Sequence, residues 1–245
     1  MAKKIDLVGY DKYYYNDNII INIPTIGQIR NNRNGDNENA FWQEVNLFIK
    51  TPSDMISELD SFGFDFEEVS EFTLFVMLLT AYKENKDCRC QLFEGLDYKK
   101  LKPDSDKNGH FIFVDENGRE IFSEQIYNDV ANIIAVMIGT ERTPKKKFGN
   151  AFAKKMRIQQ DYRKKEKIRK NQDDSDSVLG AIIRRLVCTA NFPYDYRTIN
   201  DVTIYDTFQS VKQIDKDISV NEIMDSRLVG ADLNKLPKEA LSRYV

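Results

Sequence analysis

The chain carries an unusually concentrated block of positive charge between residues 142 and 170. Thirteen of its 36 Lys and Arg residues lie in this block, against two acidic residues, Asp161 and Glu166. The block therefore has a charge near +11, whereas the remaining chain, with 23 basic and 37 acidic residues, is near −14. A helix that is charged on all sides is solvated, and such helices usually project between domains or toward a partner.

The apolar residues of this block predict that only its first half can dock on another surface. Phe148, Phe152 and Met156 recur at helical spacing, which predicts one docking face. After Ile158 the apolar positions thin out, so the second half is expected to be solvated nearly all round.

The composition predicts a helix-rich fold with a modest sheet. The 245 residues are 41% hydrophobic and include 12 Tyr and 15 Phe, but only 11 Gly and 6 Pro. Few chain breakers and many aromatic residues favour an α+β protein that is mostly helical. We expect an N-terminal α+β unit with β-hairpins at 1–140, a basic connector helix at 141–172 and a small C-terminal helical unit at 173–245.

The first fifty residues predict a hairpin followed by helices. Two apolar stretches flank the turn-prone residues 16–18, which predicts a β-hairpin within 5–23. Pro24 and Thr25 then open a short helix. The polar residues 31–39 predict a loop, and a helix is expected from about 40 to 50.

The middle of the chain predicts alternating helices and a sheet. A short helix at 55–62 precedes a strongly apolar helix that begins at Ser70. Residues 89–122 indicate the sheet, with the clearest hairpin between 110–114 and 119–122, joined by an Asn-Gly turn. Ser123 is expected to cap the next helix.

Beyond the basic block the sequence predicts helices. The acidic residues 173–177 are a helix start signal, because carboxylates favour the positive end of the helix dipole. A helix at 178–189 is expected, and another that opens at Asp201 or Thr203. The last stretch, 224–245, is expected to be short and rich in turns.

Neither catalytic nor metal-binding chemistry is indicated by the sequence. It has one His, three Cys, no Gly-rich phosphate loop and no nucleophile elbow, so we predict no catalytic residue, no metal site and no cofactor. Residues 104–109 resemble the front of a calcium loop, but the twelfth position holds Asp115 rather than Glu, which favours a polar turn. No apolar stretch is long enough to span a membrane, and no signal peptide is indicated.

The basic block allows three interpretations. It could neutralise nucleic-acid phosphates, or be a solvated connector without a ligand, or dock on an acidic protein surface, including that of another copy. The aromatic residues do not form a base-stacking pattern and the rest of the chain would repel DNA, so the protein partner is favoured over nucleic acid. The predicted partner-binding residues are Lys154, Lys155, Arg157, Arg163, Lys164, Lys165 and Lys167.

The C-terminal part of the chain resembles a family of phage proteins. A hairpin and helix precede a Lys-rich, proline-containing segment, then an apolar helix, then NDVTIYDTF at 200–208 and LVGADLNKL at 228–236. This layout, over about 105–245, resembles small tail-morphogenesis proteins of tailed phages of Gram-positive bacteria, of the tail assembly chaperone type. The resemblance implies a non-enzymatic assembly role in the host cytoplasm through contacts with other phage structural proteins or with itself. The alternative is a nucleic-acid-binding regulator that uses the basic helix 142–170.

Overall fold

The computed structural model describes residues 5–31, 36–86, 88–171, 177–190 and 192–228, and these form eight α-helices and five β-strands. The protein is therefore α+β and mostly helical, which confirms the predicted fold class. In chain order the elements are β1 (Lys12–Asn16), β2 (Ile19–Asn22), α1 (Ile26–Arg30), α2 (Asp36–Ile49), α3 (Ile56–Ser61), α4 (Glu71–Glu84), β3 (Lys102–Ser105), β4 (Phe111–Val114), β5 (Glu120–Phe122), α5 (Glu124–Met137), α6 (Ala151–Asn171), α7 (Val178–Val187) and α8 (Ile204–Leu228).

The strands form two small antiparallel sheets. β1 and β2 make the predicted N-terminal hairpin, and β3, β4 and β5 follow one another in a three-stranded sheet that contains the predicted β4–β5 hairpin. The segment 91–94 extends the first sheet, because Asn22 N–H donates to the Leu92 carbonyl at 2.8 Å and Glu94 N–H donates to the Ile20 carbonyl at 3.0 Å. Neither sheet is large, so packing between helices dominates the core.

One aromatic-rich core joins α2, α4 and α5. The rings of Phe75 and Tyr127 stack with their centroids 4.6 Å apart, and Phe48 contacts both of them. Buried residues of α7 and α8, including Leu179 and Ile204, belong to the same hydrophobic cluster. Residues before 140 and after 172 therefore belong to one hydrophobic core. The division into three units stays a prediction.

A buried carboxylate organises the segment before the second sheet. Glu44 on α2 is fully buried and accepts hydrogen bonds from Gln91 N–H at 2.8 Å, Leu92 N–H at 3.2 Å and the Tyr98 hydroxyl at 2.7 Å. Burial raises the pKa of Glu44 to about 7, against the lowering effect of these hydrogen bonds. The segment has no regular structure at 88–92, so this side chain replaces the backbone partners that a strand would supply.

The start of α1 is hydrogen-bonded to the start of α8. Thr25 caps α1 as the sequence predicts, and its side chain accepts from Gln28 N–H at 3.2 Å. Ile26 N–H donates to the Val202 carbonyl at 2.9 Å, and Ile204 N–H donates to the Pro24 carbonyl at 2.8 Å. Residues nearly two hundred positions apart thus form one corner of the fold.

Several predicted boundaries are wrong. α2 begins at Asp36, inside the predicted loop 31–39, of which residues 32–35 lie outside the described residues. α8 continues to Leu228, so the predicted turn-rich segment is helical at least from 224 to 228. Residues 172–176 of the predicted acidic junction and 229–245, with most of the LVGADLNKL string, lie outside the described residues.

Candidate interaction surface

The basic block begins with a segment that is bound along the N-terminal part of the chain. The Thr143 hydroxyl donates to Asp54 at 2.7 Å, the Ser53 hydroxyl donates to the Pro144 carbonyl at 3.1 Å, and Phe148 N–H donates to Glu67 at 2.7 Å. These contacts fix the position of the segment that leads into α6. The Asn150 side chain then accepts from Ala153 N–H at 2.7 Å and satisfies one of the free donors at the helix start.

The inner face of α6 packs on α3 and on the loop that follows it. Lys154, Ile158, Asp161 and Lys165 recur at steps of four, three and four residues, which places them on one side of a helix. Ile158 contacts a small hydrophobic cluster centred on α3, as does Phe148. The buried members of that cluster are Ile56, Leu59, Phe66, Val69 and Leu74.

Of the three apolar residues of the predicted docking face, only Phe148 packs on the described part of its own chain. Phe148 does dock, and its ring meets that of Phe66 edge-on at 6.0 Å. Phe152 and Met156, however, are 75% and 38% exposed. Phe148 precedes α6, so it does not share a helix face with Phe152 and Met156.

Asp161 is the central polar contact of this packing. It is buried and accepts from the N–H of Ser57 at 3.1 Å and from the Ser57 hydroxyl at 2.7 Å. α3 has Met55 at its N-cap, whose side chain makes no capping hydrogen bond, so Asp161 supplies the missing cap from another helix. Burial raises the pKa of Asp161, but the hydrogen bonds from Lys165 and Ser57 outweigh it and leave the pKa below the ordinary value.

Two lysines extend this contact on either side of Asp161. Lys154 pairs with Asp65 and lies 3.4 Å from Glu67, and hydrogen bonding to Asp65 raises its pKa. Lys165 pairs with Glu58 and lies 2.7 Å from Asp161. Acidic residues of the N-terminal part of the chain thus neutralise part of the charge of the basic block.

The seven predicted partner-binding residues fall into three groups. Lys155, Arg163, Lys164 and Lys167 are exposed, whereas Lys154 and Lys165 are already paired with carboxylates of their own chain. Arg157 is partly buried, and its Nε finds no hydrogen-bond partner in the described part of the chain. That these residues contact a partner stays a prediction, for which the four exposed side chains are placed best.

The outer face of α6 combines apolar and cationic side chains. Phe152, Met156, Arg163, Lys167 and Lys170 recur at steps of four, seven, four and three residues, so they share one side of the helix, opposite the inner face. All five are exposed. The first two turns of this face are apolar and the later turns are cationic, an arrangement that suits a partner with an apolar groove beside carboxylates.

Asp161 is the residue that sequence reasoning missed. In the sequence it stands out only as one of two negative charges in the basic block. The available signal is its place four residues before Lys165, the spacing of an ion pair on one helix face. A carboxylate that is isolated among cations and in phase with Ile158, which packs on the α3 cluster, is expected to face inward.

Other chemistry is not indicated within the described ranges. No group of three or more His, Cys, Asp and Glu residues there could hold a metal ion. No helix in the same ranges is long and apolar enough to cross a membrane. No protein-family model matches this sequence, and no curated protein or solved structure is similar enough to it to count as a relative.

Proposed function

We propose that this protein is a non-enzymatic assembly factor that acts through protein–protein contacts, with the outer face of α6 as its contact surface. The observation that carries the proposal is the exposure of Phe152, 75%, on the same side of the helix as Arg163 and Lys167. The opposite side of α6 is held by its own chain. A helix that is fixed on one side and displays an apolar anchor on the other matches the helix-in-groove mode of recognition.

The energetic argument favours a protein partner over a polyanion. Burial of an exposed Phe side chain contributes about 1.5–3 kcal/mol, whereas each exposed ion pair contributes about 0–1 kcal/mol. Phe152 and Met156 therefore supply affinity only if the partner offers an apolar groove. The cations Arg163 and Lys167 would then steer the encounter and fix its orientation.

The more specific proposal is a tail assembly chaperone or tail morphogenesis factor of a tailed phage, acting in the host cytoplasm. Its support is the resemblance of about 105–245 to such proteins, above all in the short string around 201–205. The neighbouring genes test it. We expect a tape-measure gene nearby, and a position inside a replication gene cluster would contradict the proposal.

A nucleic-acid-binding regulator is the second candidate function. The observation in its favour is that nine of the thirteen Lys and Arg residues between 142 and 170 are exposed. Such a surface would neutralise several phosphates, and its affinity would fall steeply with salt.

One pair of variants separates the two functions. Arg163→Glu with Lys167→Glu reverses the cationic part of the outer face, and Lys99→Glu with Lys216→Glu is a matched control that reverses two exposed cations elsewhere. Binding is measured to a duplex and a single-stranded oligonucleotide, and by copurification with a second tagged copy and with the products of the adjacent genes.

We expect the first variant to lose a protein partner that the wild type and the control retain, with little nucleic-acid binding by any of them. Saturable oligonucleotide binding with a steep salt dependence, lost in the first variant, would instead establish the regulator. Unchanged binding in the first variant would show that the outer face of α6 is not the contact surface.

A further inference from the structure

A second surface of the molecule carries negative charge and apolar side chains, and so complements the cationic and apolar outer face of α6. An open cleft of about 810 Å³ lies between the tip of the β3–β4 hairpin and the starts of α4 and α5. Ser70 and Thr73 line it from α4, and Ser123 and Glu124 line it from the start of α5. No described residue of α6 lines the cleft, so the molecule's own basic helix does not fill it.

Carboxylates and aromatic rings line this cleft together. Asp106, Glu120, Glu124 and Asp129 face one potential cation, His110. The cleft also contains Phe72, Ile112 and Phe111, the last of them 40% exposed. It therefore offers an apolar wall beside negative charge.

Two of the four carboxylates are free to meet a partner. Asp106 already lies 3.0 Å from His110, and Asp129 accepts a hydrogen bond from the Tyr15 hydroxyl at 2.7 Å. The side chains of Glu120 and Glu124 are exposed and make no hydrogen bond or ion pair with any residue that the structure describes. These two residues are the ones that an incoming cation would engage.

We propose that this cleft receives the outer face of α6 from a second copy of the chain. Phe152 or Met156 of one copy would pack against the apolar wall, and Arg163 and Lys167 would meet the two free glutamates of the other. The inference rests on the proposed function, since it uses the same contact surface, and it adds the identity of the receptor. Both halves of the contact are present on one chain, which makes a second copy the occupant that the charges favour.

The contact joins two different surfaces and is therefore heterologous. Each copy would offer its α6 to one neighbour and its cleft to another, which generates a closed ring or an open filament rather than a two-fold dimer. Salt is expected to weaken this association, because its charged groups are exposed.

A charge swap tests the pairing directly. The helix variant is Arg163→Glu with Lys167→Glu, and the cleft variant is Glu120→Lys with Glu124→Lys. Each alone places like charges on both halves of the contact. In an equimolar mixture of the two variants, the acidic helix of the helix variant can bind the basic cleft of the cleft variant. The cleft variant also keeps a wild-type helix, which can bind the wild-type cleft of the helix variant. Both contacts between opposite charges are therefore restored. Self-association is measured by sedimentation velocity over a range of protein concentrations at low salt.

We expect the wild type to form concentration-dependent oligomers, each variant to sediment as a monomer, and the mixture to recover oligomers. Asp17→Lys with Glu84→Lys is the matched control for the cleft, and it should associate as the wild type does.

Glu124 occupies the first position of α5, where a lysine opposes the helix dipole. Thermal melting of every variant is therefore compared, and Glu120→Gln with Glu124→Gln provides a milder cleft variant that should weaken association without disturbing the helix.

The outcomes separate this inference from the proposed function. If the helix variant loses a partner but the mixture recovers nothing, the outer face of α6 is a contact surface and the cleft is not its receptor. A wild type that stays monomeric at all concentrations would also overturn the inference. Neither result contradicts an assembly role with another protein, which is contradicted instead by saturable oligonucleotide binding that the helix variant loses.

Discussion

The carboxylate of Asp161 accepts hydrogen bonds from the N–H and the hydroxyl of Ser57, 104 residues earlier in the chain. It does for α3 what an N-cap residue normally does from within the same segment. Glu38 on α2 acts in the same way for α7, because it accepts from the N–H of Leu179 at 3.2 Å. Two helix starts are thus completed by carboxylates on other helices, which couples helix formation to tertiary packing.

Asp161→Ala should destabilise the protein by about 2 kcal/mol, because it leaves the buried N–H of Ser57 unpaired and leaves the Ser57 hydroxyl only Glu58, at 3.1 Å, as an acceptor. Urea unfolding at pH 7 measures this loss. Glu166→Ala, which removes an exposed carboxylate paired with Lys170 at 2.7 Å on the same helix, should change stability by less than about 0.5 kcal/mol. Equal effects of the two substitutions would contradict the role given to Asp161.

The same substitution has a pH signature. The pKa of Asp161 is lower in the folded protein than its ordinary value of 3.8. A carboxylate with a lowered folded pKa stabilises the protein fully above the unfolded pKa, and this contribution disappears as the pH falls through the folded pKa. The difference in unfolding free energy between wild type and Asp161→Ala should therefore shrink only in acid, below about pH 4.

Glu44 should give the opposite dependence. Its pKa is raised from 4.5 to about 7, so the folded state binds the proton more tightly than the unfolded state does. The associated stability is fully present below about pH 4.5 and is lost as the pH rises through about 7, a change on the order of 3 kcal/mol. Glu44→Gln does not titrate at this position, so its unfolding free energy should lack this decline. Denaturant unfolding from pH 4.5 to 8 checks it, with exposed Glu84→Gln as the control that keeps the wild-type slope.

The two phenylalanines at the start of the basic block should behave differently. Phe148→Ala should cost about 2–3 kcal/mol of stability, because Phe148 packs against Phe66 and the α3 cluster. Phe152→Ala should change stability by less than about 0.5 kcal/mol but should weaken partner binding. Thermal melting and sedimentation separate the two effects. A large loss of stability in Phe152→Ala would show that this side chain is structural.

Gly27→Ala should destabilise the corner between α1 and the C-terminal helices. A methyl group at Gly27 would lie 2.9 Å from the backbone carbonyl oxygen of Asn200, so one backbone must move. Overpacking of this kind costs about 1–3 kcal/mol. Gly149→Ala is the matched control, since a methyl group there meets nothing within 4 Å and the change should be nearly neutral. Equal melting temperatures for the two variants would contradict the close packing of this corner.

Local signals in the sequence predict most of the elements. The hairpin turn before Ile19, the Thr25 cap, the Ser70 cap and the Asn-Gly turn before β5 each specify a boundary through their own backbone chemistry, and the structure has all four. The helix start at Asp36 escaped prediction because polar composition alone indicated a loop. A polar composition indicates that a segment is exposed to solvent, but a helix with one solvated side can have the same composition as a loop.

The tertiary role of the basic block could not be predicted in the same way. The sequence of a lysine-rich segment does not show which lysines form ion pairs in the folded protein. Asp65 lies 89 residues before its partner Lys154, and Glu58 lies 107 residues before its partner Lys165. The shared core was hidden for a similar reason, because the apolar face of α7 gives no sign of where it is buried. Long-range pairing depends on the shape of the whole fold, whereas turns and caps depend on a few neighbouring residues.

The corner at Pro24 and Ile204 has a consequence for biosynthesis. The ribosome makes the N-terminal hairpin first, yet the backbone groups that close this corner belong to residue 204. At about 5–20 residues per second, the hairpin and α1 wait roughly 10–40 s for their final partner. During translation the nascent chain therefore displays apolar surface that the finished fold covers, and its final structure forms only when α8 is being made.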